Sequence, residues 1–88
     1  MAYGIILSPA ARRDLQRVPP RIVRAIVEFM YGDLSKNPRR VGKALRRELA
    51  GYHSAHRGPY RVIYSINDET AVVEVLRIDH RADVYKPR

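Results

Sequence analysis

Apolar residues recur along the chain with two periods, and each switch of period marks a new element. Tyr3, Ile5 and Leu7 share one face of a short strand under two-residue alternation. Ser8-Pro9 then reads as a helix start, a hydroxyl N-cap followed by proline at the first helical position. Ala11, Leu15 and Val18 follow at helical spacing, while Arg12, Arg13, Asp14, Gln16 and Arg17 take the wet face. Pro19-Pro20 stops this helix and opens a second one. The second helix has the clearest stripe in the chain: Ile22, Val23, Ile26, Val27, Met30 and Leu34, with Phe29 beside it. Lys36-Asn37-Pro38 ends it.

Residues 39–50 show no clean period. They predict a loop with a short turn of helix, anchored by Leu45 and Leu49. Alternation returns after Gly51. Tyr52 to Arg57 reads as a strand, Gly58-Pro59 as a turn, and Tyr60 to Ile66 as a second strand with Tyr60, Val62, Tyr64 and Ile66 on one face. A hairpin loop at Asn67-Asp68-Glu69 leads to Ala71–Ile78, which is apolar on both faces and therefore central. A short polar tail, 79–88, closes the chain. The order strand, two helices, three strands predicts an α+β fold, with a helical hairpin on one face of a mainly antiparallel four-stranded sheet. The other face is left partly open, and arginines can gather there.

Composition sharpens this picture. The chain has 88 residues, room for one domain spanning 1–88, and 45% of them are hydrophobic, which suits a folded core. It has no cysteine, which excludes disulfides, thiol chemistry and Cys-based zinc sites and fits a reducing compartment such as the cytoplasm. No run of 18 apolar residues offers a membrane span, and the first residues lack the basic start and apolar stretch of a signal peptide. The formal charge is +8, and fourteen of the seventeen basic residues are arginine. Lysine serves solubility equally well, whereas the guanidinium fork grips phosphate with two donors and stacks on bases. The composition therefore points to a polyanionic partner, either a nucleic acid or an acidic protein that masks this surface.

Candidate chemistry is sparse. His53, His56 and His80 have no metal-ligand spacing, the five glycines form no phosphate-binding loop, and no recognisable carboxylate pair is present. A cluster of Arg, His and Tyr remains. Arg57 and Arg61 flank Gly58-Pro59, and both are expected near one end of the sheet. His53 shares strand parity with Arg57. Asp79-His80-Arg81 ends the last strand, Tyr85 follows, and one register of antiparallel pairing between the last two strands, among those the sequence leaves open, brings Arg61 beside Arg81. Such a set suits RNA cleavage by RNA's own 2′-hydroxyl: arginine stabilises the charge that builds on phosphorus, histidine moves protons near neutral pH, and tyrosine stacks or exchanges a proton. Each residue also has a plain structural reading, His53 and His56 as surface residues and Tyr52, Tyr60 and Tyr64 as core or edge packing. From the residues alone the chain is a small basic α+β domain that binds RNA or DNA.

The run from Leu49 to Tyr64, LAGYHSAHRGPYRVIY, resembles the RelE/ParE toxin superfamily, as do the tail Ile78–Tyr85 and the Ala-x-x-Asp-Leu pattern at Ala11 to Leu15. The resemblance implies a compact α+β toxin of a toxin–antitoxin pair. RelE-type members cut mRNA in the ribosomal A site without metal by the 2′-hydroxyl route, whereas ParE-type members share the fold and poison DNA gyrase. Carried over by position, the phosphate-stabilising arginines match Arg61 and Arg81, and the C-terminal tyrosine matches Tyr85. A lysine pair of some RelE-type enzymes would fall at about His53 and Ala55, where this chain has no lysine. His53 becomes the candidate acid or base in its place, with Arg57 supplying charge. Lys43, Arg46 and Arg47 would contact RNA together with Arg57, and the arginines of 12–24 and 39–47 would meet ribosomal RNA. The implied partners are an acidic antitoxin, the ribosome and mRNA, with no cofactor, metal or membrane. The rival readings are a gyrase poison and a basic nucleic-acid-binding module without catalysis.

Overall fold

The computed structural model describes residues 2–80. Its order is β1 (Gly4–Leu7), α1 (Pro9–Gln16), α2 (Pro20–Phe29), a π-helical turn (Met30–Leu34), β2 (Lys43–Ala44), a 3-10 turn (Arg47–Leu49), β3 (Tyr52–Arg57), β4 (Tyr60–Asn67) and β5 (Val72–His80). The strands form one sheet in the order β1-β5-β4-β3-β2, antiparallel except where β1 runs parallel to β5. The helical hairpin and central last strand expected from the sequence are present.

The sheet has five strands where four were expected. The additional one is β2, a two-residue pairing of Lys43 with Ser54 and Ala44 with His53. Both of its residues are exposed, so no apolar alternation announces it. Leu49 is 40% exposed and does not anchor the segment as expected. Gly42 does: a Cβ there would collide with Tyr64 Oη and stand 2.6 Å from the Ser54 carbonyl oxygen. The glycine lets the loop press against β3 before β2 begins.

One core fills the space between the helices and the sheet. Ala11, Val18, Ile26, Phe29, Met30 and Leu34 meet Ala55, Val62, Tyr64, Val73, Val75 and Ile78 there. Tyr64 is fully buried, and its hydroxyl donates to the Pro38 carbonyl at 2.6 Å. Burial pushes that phenol up to about 12, so it stays a donor.

The junction of β1 and α1 protects the edge of β5. β1 pairs with β5 only as far as Leu7 opposite Val75. Beyond that point Ser8 Oγ accepts from the Ala11 N–H at 3.0 Å and donates to the Leu76 carbonyl at 2.7 Å. One helical turn later Asp14 accepts from the Ile78 N–H at 2.8 Å and from Arg77 Nε at 2.9 Å. Burial alone would raise the Asp14 carboxyl, but the bonds from Arg77 and Ile78 outweigh it and hold the carboxyl below its ordinary value. Strand groups left unpaired at the end of β1 are thus satisfied by side chains of α1.

A bulge in β5 decides what reaches the outer face. Ile63 pairs with Arg77 and Tyr64 with Val75, so Leu76 is the extra residue. Strict alternation from Val73 and Val75 would send Arg77 and Asp79 into the core. The bulge reverses the parity, which buries Ile78 at 3% exposure and turns Arg77 and Asp79 outward.

Candidate active site

The register across β3, β4 and β5 sets one row of polar residues on the sheet face away from the helices. His56 lies opposite Arg61, and Arg61 lies opposite Asp79. Two central residues, Gly58 and Pro59, close the β3–β4 hairpin, and Gly58 takes φ +58, the left-handed conformation that a glycine allows in a tight hairpin turn. This short loop fixes the pairing of His56 with Arg61.

Arg61 is half-buried, and its Nε has no hydrogen-bond partner among the described residues. The carboxylate nearest in register does not take it. Asp79 instead lies 3.3 Å from the Arg77 guanidinium, which Asp14 also holds. A buried guanidinium N–H without an acceptor costs stability on the order of 1–3 kcal/mol. An incoming phosphate oxygen removes that cost and receives a planar two-donor fork. The arrangement leaves the Arg61 Nε–H free for an anion to accept.

A shallow groove runs from this row toward β2. Arg40, Gly42, Lys43, Ser54 and His56 are among the residues that line it. Arg40, Lys43 and His56 are exposed. Lys43 thus stands on the same face as Arg61, as its expected contact with RNA requires.

Other expected members of the cluster lie elsewhere. His53 and Arg57 share a face, as strand parity required, but it is the helix-covered face and not that of Arg61. His53 stacks on Tyr64 with ring centroids 5.5 Å apart. Burial, and then the charge of Arg39, push its pKa down, so the imidazole is held neutral against the core. Arg57 lies over the Phe29 ring at 3.7 Å and donates to the His56 carbonyl at 2.6 Å. A two-residue hairpin sets Arg57 opposite Tyr60, so it cannot face the same way as Arg61. Arg46 and Arg47 follow Leu45, whose N–H donates to the Tyr52 carbonyl, at the far end of the hairpin from Arg61. They are exposed but do not join the row. Arg81 and Tyr85 lie outside the described residues, the last of which, His80, pairs with Tyr60.

His56, read from the sequence as an ordinary surface residue, is exposed and lies opposite Arg61. Counting outward from a two-residue turn at Gly58-Pro59 would have placed it opposite Arg61.

Comparison with known proteins agrees with this frame. The family model for the ParE toxin of type II toxin–antitoxin systems matches residues 5–85. The chain belongs to the RelE/ParE toxin superfamily. The toxin is 58% identical over 86 residues to Toxin RelG of Mycobacterium tuberculosis, covering 98% of this chain and 99% of that protein. It is 48% identical over 84 residues to Toxin RelE of the same organism, covering 96% and 87%. Its fold matches a chain in the crystal structure of the toxin–antitoxin complex RelBE2 from M. tuberculosis, with a TM-score of 0.89 and 58% identity over 94% of this toxin and 95% of that chain.

Proposed function

We propose that this toxin is a ribosome-dependent endoribonuclease that cleaves mRNA by attack of the RNA 2′-hydroxyl on the adjacent phosphate, without a metal. The observation that carries this reading is Arg61: a half-buried guanidinium on the open sheet face, its Nε unpartnered among the described residues, in a row with His56 and beside a basic groove. Arg61 and Arg81 stabilise the dianionic charge that develops on phosphorus, and Tyr85 stacks on a base or exchanges a proton. The RelE-type names of the similar mycobacterial toxins support the mRNA-cleaving branch. The family model itself bears the ParE description, so poisoning of DNA gyrase stands as the second reading.

A cognate antitoxin of acidic character masks the surface. The +8 charge favours fast electrostatic capture by such a partner, and the 58% identical neighbour was crystallised as a toxin–antitoxin complex.

Induction of the toxin in cells without its antitoxin separates the two readings. The expected result is fragmented mRNA and halted translation while DNA stays intact. Double-strand breaks in DNA with intact mRNA would replace the nuclease by the gyrase poison.

A further inference from the structure

We propose that His56 is the general base of the cleavage step, taking the proton from the attacking 2′-hydroxyl of the RNA bound at Arg61. This rests on the reading of the toxin as a ribonuclease and adds a residue to it.

The sheet sorts the three histidines by face. His53 pairs with Tyr64 and stacks on it from the helix side. His80 pairs with Tyr60, which also faces the helices, and meets that ring edge-on at 5.1 Å. His56 alone among the described residues places an imidazole on the open face. It is exposed, and among the described residues its ring has no hydrogen bond, ion pair or stacking partner, while its backbone carbonyl is held by Arg57.

Its position suits the step. Residues directly opposite on antiparallel strands have Cβ atoms about 5 Å apart, so a phosphate gripped by Arg61 presents its neighbouring ribose within reach of His56. The charged groups on this face are Arg61 and Asp79 along the row, Arg77 beside Asp79, Glu74 farther along β5 opposite Ser65, and Lys43 and Arg40 along the groove. Asp79 is held by Arg77, which leaves no carboxylate free in the row to take the proton instead. In the step, neutral His56 accepts the 2′-hydroxyl proton as the 2′-oxygen bonds to phosphorus. The bond from phosphorus to the 5′-oxygen breaks, and that oxygen takes a proton from water. The products are a 2′,3′-cyclic phosphate and a 5′-hydroxyl. The imidazolium then returns its proton to water, so protons and electrons balance.

The test is single-turnover cleavage of mRNA on programmed ribosomes across pH 5.5–8.5, with wild type, His56→Gln and Arg61→Ala. Wild type is expected to speed up with rising pH and then level off, because an imidazole base works only when neutral. His56→Gln is expected to lose on the order of a hundredfold at the plateau, and its remaining rate is expected to lose that acid limb. Equal thermal unfolding of His56→Gln and wild type excludes a structural cause, since the ring packs against nothing that is described. A His56→Gln rate and pH profile equal to wild type, with Arg61→Ala still impaired, overturns the role of His56 and leaves the ribonuclease reading in place. Absence of cleavage by wild type overturns both.

Discussion

Arg61→Ala is expected to lower single-turnover mRNA cleavage by about 3 kcal/mol, on the order of a hundredfold, while the protein folds as well as wild type. Two features of the same side chain produce this pairing of effects. In the proposed mechanism its donors meet charge that grows as the 2′-oxygen attacks, so the loss falls on the rate more than on ribosome binding. Its Nε is buried and unpartnered among the described residues, so truncation deletes an unsatisfied N–H and breaks no internal ion pair. Arg61→Lys is expected to recover little, because a single ammonium cannot reproduce the two-donor fork. Rate, ribosome affinity and melting temperature measured on the same preparations check this. An Arg61→Ala protein that melts well below wild type would recast the residue as part of the scaffold.

Tyr64→Ala is expected to take away a large share of the domain's stability. The ring is fully buried between the helices and the sheet, His53 stacks on it, and its hydroxyl satisfies the Pro38 carbonyl. Emptying an aromatic site of this kind costs about 3–5 kcal/mol. A domain of this length has only about 4–13 kcal/mol in total at the usual stability per residue. With about 4–8 °C lost per kcal/mol, the melting temperature is expected to fall by roughly 12–40 °C. Tyr64→Phe isolates the hydroxyl: the ring remains, the Pro38 carbonyl loses its donor, and the expected cost is about 1–2 kcal/mol. Urea or thermal unfolding followed by circular dichroism measures both variants. A Tyr64→Ala protein within about 3 °C of wild type would show that the 38–44 loop is held by something other than this tyrosine.

The helices were readable because their signals are local. Ser8-Pro9, Pro19-Pro20 and the stripe from Ile22 to Leu34 each act within a few turns of backbone, and all three appear where expected. The strands β3, β4 and β5 were readable for the same reason, β4 through alternation, β5 as a run apolar on both faces and β3 from the turn that follows it. β2 was not, because two exposed residues carry no alternation and their pairing depends on the close approach of Gly42 to Tyr64 and Ser54. The site was legible only in part. Arg61 was placed on the right strand, and the parity of His53 with Arg57 held. Parity tells which residues share a face but not which face the helices cover, so His53 was grouped with Arg61 although the sheet separates them. The register that brings His56 to Arg61 depends on the length of the turn. The outward direction of Asp79 depends on the bulge at Leu76, where the apolar positions change parity from Val73 and Val75 to Ile78.

The central claim is tested most directly by the ends of the RNA that the toxin leaves. Programmed ribosomes carrying a defined mRNA are treated with the purified toxin, and the fragments are analysed for their terminal groups. The expected fragments carry a 2′,3′-cyclic phosphate, or the 3′-phosphate formed from it, on the upstream piece and a 5′-hydroxyl on the downstream piece. Fragments ending in a 3′-hydroxyl and a 5′-phosphate would contradict attack by the 2′-hydroxyl and with it the mechanism built on Arg61.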